Sequence, residues 1–467
     1  MSTKSIAVDY GDRQIEIEVP DTAVIAEFRD PPLLENPEQA VRDALAKPYG
    51  SPPLAELAKP GMRVAIGFDD PTRPNVPPQT ILPIVVETLF AAGVNERDIV
   101  FISGCSNHRK PTRLELANHL GAEIFNRFWL HGQIINHDCY DPAQLRYFGI
   151  TESGRYVEHN RHFVDADLLI YQGNVASTAW KSYTGTGAVI GLASTQSIAS
   201  HHSYHSIPVP SNLAGKESKP RRKVSVKDEM NGFLEQATGK KIFYINAVNG
   251  TKGRMAGVFA GSAREVRPPA WELAERIYRC PVPEADVLIV GLSQSYSYGS
   301  SHNPLIAAVG ALVPPRYSAD QPVLREGGVV IGLTPSSGYI DPRLYPDYQA
   351  VIDLYGQCHT VRTLVDHEDA FDHRPDYRHK YTYEHGYPPL HAFWLFYEME
   401  YALNRAGAVI LAGTPNPGVF RGLGLTAAKN FSQAWKIAAK YVGKNPSVVV
   451  APTFWSKPRI KFDVHAD

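Results

Sequence analysis

His201, His202 and His205 lie within five positions, just after a segment of small residues that includes Gly185, Gly187 and Gly191. Imidazoles so spaced can ligate a metal or carry protons at neutral pH, and small residues let a backbone approach a ligand closely. The apolar run Leu168, Leu169, Ile170 ahead of them reads as a strand end, and Gly191 to Ala199 as the opening turns of a helix. A flexible loop followed by surface histidines is the plainer account of that stretch alone. Two other groups favour chemistry. The run Arg63 to Phe68 ends in Asp69-Asp70-Pro71-Thr72-Arg73-Pro74-Asn75, a carboxylate, a hydroxyl and a guanidinium on a loop stiffened by prolines. Such a corner can bind an anion, although an Asx-type turn with a surface arginine explains the spacing equally well. The run Asp98 to Ser103 ends in Gly104-Cys105-Ser106-Asn107-His108-Arg109, which puts another imidazole just past a strand.

A parallel sheet would bring these groups together. Strands at 63–68, 98–103 and 164–171 alternate with helices at 78–93 and 112–124, the latter opened by Thr112, and ligands bind outside the carboxyl ends of strands in such sheets. Ahead of them, residues 4–19 alternate around a Tyr-Gly-Asp turn as a hairpin, and 37–47 read as a short helix capped by Asn36. Lys241 to Val248 and Gly257 to Ala260 look like an antiparallel pair, followed by a helix at 270–280. The prolines of Cys280 to Asp286 mark a boundary. Strands are then expected at 287–291, 329–333, 361–365 and 408–412, with helices at 304–312, 391–403 and 426–441 and a last strand at 447–452. The expected fold is α/β: two domains with mostly parallel sheets and an active-site cleft between them. Residues 1–281 form the first, 282–442 the second, and 443–467 a tail returning to either domain, the first by preference.

Composition narrows the classes. The 467 residues are 43% apolar and 20% charged, with a net charge of -1, so no global field favours nucleic acid or an anionic membrane. The basic cluster from Lys216 to Lys227 reads as a solvated loop. Cys105, Cys139, Cys280 and Cys358 lack CxxC spacing, which fits a reducing cytoplasm, and neither a leader segment nor a membrane span is indicated. The expected partner is a small molecule, with self-association left open.

Four stretches resemble the lactate racemase family, in its order: Asp-Asp-Pro-Thr-Arg-Pro at 69–74, Asn-His-Arg-Lys-Pro-Thr at 107–112, Gly-Asn-Val at 173–175, and Ser-Ile-Ala-Ser-His-His at 197–202. The resemblance implies a nickel-dependent racemase or epimerase of 2-hydroxy acids. It also implies a nickel pincer cofactor, derived from nicotinic acid mononucleotide and bound covalently to a lysine, with one histidine on the metal. The cofactor takes a hydride from the substrate carbon and returns it to either face of a 2-keto acid. By this resemblance Asp70, Thr72 and Arg73 bind the cofactor phosphate or the substrate carboxylate, His108 is the acid/base group, and His202, or its neighbour His201, is the nickel ligand. Thr184, Gly185 and Thr186 fall on the cofactor-binding loop.

The pattern breaks in two places. Ser177-Thr178 stands where the family has Pro-His, so Thr178 takes the place of a second acid/base histidine. The family lysine should fall at Thr186 to Ala188, where no amine exists, and Lys181 is the nearest. The hydroxyl-rich run Ser293 to His302 could recognise a polyhydroxylated acid but reads better as an ordinary loop, and Trp394 as a core residue. The leading expectation is a divergent isomerase of a 2-hydroxy acid larger than lactate. Alternatives are a scaffold that only binds a hydroxy acid, nucleotide or metal, a one-sided hydride-transfer or dehydration enzyme, and a metal hydrolase built on His201, His202 and His205.

Overall fold

The computed structural model describes residues 2–73, 78–180, 182–207, 222–294, 298 and 302–465, with only the backbone at 222–225. Its first sheet runs, in spatial order, Met255–Gly261, Ile242–Asn249, Leu168–Val175, Val64–Asp69, Ile99–Gly104 and Ile134–Asn136. All neighbours are parallel except Met255–Gly261 against Ile242–Asn249. Helices on both faces bury the central strands, so Leu168–Val175 is buried at every position and opens on an unbroken apolar run, Leu168 to Tyr171, rather than an alternating pattern. Parallel pairing aligns the carboxyl ends of Val64–Asp69, Ile99–Gly104 and Leu168–Val175, and each hands its chemistry-bearing loop to the same rim. Local signals fix the flanking helices. The Thr112 side chain accepts from the Glu115 amide while Glu115 accepts from the Thr112 amide, and Asn36 caps Pro37–Ala46.

The second sheet orders Thr426–Ala428, Ala408–Ala412, Leu324–Leu333 and Ala285–Ser293, all parallel. Ala285–Ser293 also pairs in parallel with Val448–Ala451 and with the Thr3–Gly11 arm of the N-terminal hairpin. The chain start therefore belongs to the second sheet and not to a first unit spanning 1–281. The tail strand goes there too, rather than to the first sheet. The cause is visible in the hairpin, where Ile6, Val8, Ile17 and Val19 need an apolar face and find Val287, Ile289 and Val450 in one core cluster. Two other expectations fail. Residues 361–365 begin a helix, Val361–Leu364, because only Val361 and Leu364, three apart, are buried. Thr426–Ala428 is an edge strand, and the helix after it starts only at Phe431, behind the Asn430 cap.

Two core histidines hold the small-residue segment, His137 from just past the first sheet's edge strand and His159 from the strand Tyr156–Asn160 of a separate hairpin. Through Nε2–H, His137 donates to the Ala193 carbonyl at 2.9 Å and His159 to that of Ala188 at 3.0 Å. Burial pushes His137 down to about 4 and His159 to about 3 from the usual 6.5, against the opposing pull of those carbonyls. Both rings are neutral when folded and take up protons more readily when unfolded. The stability they contribute is complete above pH 6.5 and lost as pH falls through their folded values. Thermal unfolding should hold level from pH 8 to 7 and decline below about 6.5, above the range of ordinary carboxylates. A level midpoint down to pH 5 would contradict the buried neutral pair.

Candidate active site

The aligned strand ends open into a cavity of about 290 Å³, closed on its far side by the second half of the chain. Asp70, His108 and Asn174 line it from the first sheet; Tyr298, His391 and Trp394 line it from beyond residue 285.

Hydrogen-bond bookkeeping fixes the state of His108. One guanidinium nitrogen of Arg73 lies 3.1 Å from Nε2 and 3.5 Å from Nδ1, and Nδ1 is held by the Asp70 carboxylate, which can only accept, so Nε2 is the nitrogen left to accept from the guanidinium. The ring proton then sits on Nδ1 and is donated to Asp70 Oδ2 at 2.6 Å. Asp70 is held in turn by the amide and hydroxyl of Thr72, each at 2.8 Å. Burial works against charge on both partners. It pushes His108 below its ordinary value, reinforced by Arg73, so the ring is neutral at pH 7. For Asp70, burial is outweighed by the His108 hydrogen bond and the Arg73 charge, which hold the carboxyl well below the usual range. Arg73 also lies over the Tyr298 ring, 5.5 Å from its centre. The result is an ionised carboxylate, an oriented neutral imidazole and an arginine covering its basic nitrogen.

The expected site residues meet here unequally. Arg73, Asp70 and His108 form one unit, but Asp70 and Thr72 spend their polar atoms within it rather than on a ligand. Thr178 lines the cavity, yet its hydroxyl is engaged by the carbonyl and hydroxyl of Ser182, both at 2.9 Å. The Thr184 hydroxyl donates to the Asn174 carbonyl at 2.5 Å and accepts from the Ala176 amide at 2.8 Å, clamping the loop to the strand end. Thr186, fully buried, accepts from Arg267 at 3.2 Å and is turned from the cavity. Gly185 lines the cavity at φ +100°, where a side chain would be strained. Gly191 leaves room for the Tyr171 hydroxyl, which a Cβ there would meet at 2.6 Å. Lys181 lies outside the described residues.

His201 and His202 both line the cavity, their Nδ1 atoms 3.3 Å apart, with His202 stacked on Trp394 at 5.4 Å between ring centres. His205 is exposed, and among the described residues no three His, Cys, Asp or Glu side chains gather into a metal site. The hydrolase built on three histidines therefore lacks its ligand set. Trp394 is both core, at 3% exposure, and cavity wall.

Three contributors escaped the sequence reading. Tyr298 sits in the run taken for an ordinary loop, yet packs on Arg73 and His108. Lys227, from the cluster taken for a solvated loop, lies on the helix Arg222–Thr238 and lines the cavity. His391 carried no local signal beyond its place on an amphipathic helix.

The chain is similar to known proteins in sequence and in fold. Residues 10–213 match the lactate racemase N-terminal domain. Lactate racemase of Lactiplantibacillus plantarum is 27% identical over 296 residues, covering 63% of this chain and 65% of that protein, just under two thirds of its length. That of Thermoanaerobacterium thermosaccharolyticum is 23% identical over 334 residues, covering 70% and 73%. The structure of the latter's apoprotein superposes with a TM-score of 0.69 at 20% identity, covering 98% of this chain and all of that one. A Thermotoga maritima protein structure gives 0.58 at 16% identity over 92% of this chain and 98% of its own. The domain match, the two relatives and the shared fold agree: the chain carries a lactate racemase N-terminal domain over residues 10–213 and is similar to lactate racemases over most of its length.

Proposed function

We propose that this chain is an isomerase that inverts the hydroxyl-bearing carbon of a 2-hydroxy acid. The observation that carries this reading is the Asp70–His108–Arg73 unit at the cavity, an oriented base whose acceptor nitrogen is covered by an anion-binding fork. The substrate carboxylate suits the planar guanidinium of Arg73. As Arg73 turns to it, Nε2 of His108 is uncovered and takes the hydroxyl proton. Asp70 stabilises the imidazolium so formed and keeps the ring oriented.

A nickel pincer nucleotide fits the cavity by its open polar groups. Ser106 and Ser177 line it with buried hydroxyl oxygens that have no hydrogen-bond partner, and Gly185 and Gly187 line it without side chains. His202 would hold the metal, since a neutral imidazole is an acceptable nickel ligand. The chemistry such a cofactor supplies is reversible hydride acceptance from the substrate carbon. No bond to it can form at Thr186. Two described lysines line the cavity: Lys457 is paired with Glu27 at 2.5 Å, whereas the Lys227 ammonium has no hydrogen-bond or ion-pair partner among the described residues. Burial and the neighbouring Arg267 push Lys227 down to about 8, which raises its free-base fraction at neutral pH. Its helix packs on Ala188–Gly191, beside the positions that lack the lysine.

The test uses protein made in cells that also make the pincer cofactor. Intact mass and metal analysis should show stoichiometric nickel, and any covalent adduct should map to Lys227; an adduct on Lys181 would refute that assignment. Incubation with single enantiomers of C2-deuterated 2-hydroxy acids should give inversion with the deuterium retained. Tight binding without inversion would leave a binding scaffold instead.

A further inference from the structure

The second half of the chain brings its own imidazole to the site. His391 opens the helix His391–Arg405 and is 2% exposed, its ring stacked on Tyr387 at 4.4 Å and edge-on to Tyr298 at 4.9 Å. Its ring centre lies 5.6 Å from that of His108. The Nδ1 atom is 2.6 Å from the hydroxyl of Tyr348, which is fully buried and has no other hydrogen-bond partner. If Nδ1 carried the ring proton, the phenol proton would be left buried without an acceptor, a cost of about 1–3 kcal/mol. Tyr348 therefore donates, Nδ1 accepts, and the ring proton sits on Nε2. That nitrogen has no protein partner and is not sealed from the cavity the residue lines.

The two imidazoles thus present opposite faces. His108, once uncovered, offers an acceptor at Nε2; His391 offers a donor at Nε2. A hydroxyl carries one proton to give and lone pairs that accept, so adjacent acceptor and donor rings are complementary to a C–OH group and to the carbonyl it becomes on oxidation. Burial, His108, Arg73 and His202 all push His391 well below the ordinary histidine range, so it donates a hydrogen bond without releasing a proton. Thr178, whose hydroxyl is already engaged, supplies no such donor.

We propose that His391 is a ligand-binding group of the site, a neutral imidazole whose Nε2–H donates to the 2-oxygen of the bound hydroxy or keto acid. This rests on the hydroxy-acid reading above. In full-length holoprotein with ¹⁵N-labelled histidine, the resonances that vanish in His391→Gln should report the Nε2–H tautomer, and Tyr348→Phe should release that bias. Calorimetry with 2-hydroxybutyrate and butyrate then isolates the 2-oxygen. Wild type should prefer the hydroxy acid, His391→Ala should lose about tenfold of that preference with butyrate affinity unchanged, and His391→Gln, which keeps an N–H donor, should recover most of it. An Nδ1–H tautomer, or a His391→Ala preference equal to wild type, overturns the proposal alone. Wild-type protein that takes both acids alike, or neither, overturns the hydroxy-acid reading and the proposal with it.

Discussion

Asp70→Asn should lower kcat/KM for inversion about 10³-fold in a protein that still folds, within the range that a positioned acid–base group contributes. The isosteric amide keeps its oxygen for the Thr72 amide but turns an N–H₂ toward His108 Nδ1, where the carboxylate now accepts at 2.6 Å. The ring proton must then move to Nε2, where it meets the Arg73 guanidinium, itself a donor, 3.1 Å away. Both the basic nitrogen and the arginine that covers it are displaced. The loss should fall on kcat more than on KM, because Arg73 still binds a carboxylate. Steady-state and single-turnover kinetics on holoprotein check this, and a loss under tenfold would mean that Asp70 does not set the tautomer.

Lys110→Met should destabilise the fold by about 3–5 kcal/mol. Lys110 Nζ lies 2.5 Å from Asp138 Oδ2 and 3.1 Å from the Thr382 carbonyl, so one ammonium ties the first sheet's loops to the helix Pro375–Glu384. Asp138 is 1% exposed, and without the lysine its charge stays buried with only neutral donors, the Tyr140 and Asp141 amides and a distant Thr382 hydroxyl. Neutralising the partner as well, in Lys110→Met/Asp138→Asn, should recover part of the loss. Urea unfolding of the three proteins measures both effects, and a loss below about 1 kcal/mol for the single variant would show that water reaches Asp138 after all.

What the sequence made legible was what neighbours along the chain decide. The apolar runs at 64–69, 99–104 and 168–175 each end in polar residues, which is enough to place Asp70, His108 and Asn174 on one rim. Caps such as Asn36 and Thr112 are local too. Illegible were roles set by distant partners. The state of His391 depends on a phenol 43 positions away, and Lys227 needs its helix to reveal that it faces the cavity. Val361 to Val365 misled because a short apolar run suits strand and helix alike until burial at positions three apart settles it. Thr178 and Thr186 look available as a string of letters, but their hydroxyls are already committed to Ser182 and Arg267.

The pairing of Thr3–Gly11 and Val448–Ala451 with the same strand, Ala285–Ser293, bears on how a ribosome can make this protein. The strand Thr3–Gly11 is made well before its partner near residue 290, and the sheet that contains both also waits for Val448–Ala451. The hairpin must wait, with Ile6, Val8, Ile17 and Val19 exposed, while the whole first sheet forms downstream of it. A product cut short at residue 281 would leave the hairpin Thr3–Pro20 without the strand Ala285–Ser293 that it pairs with.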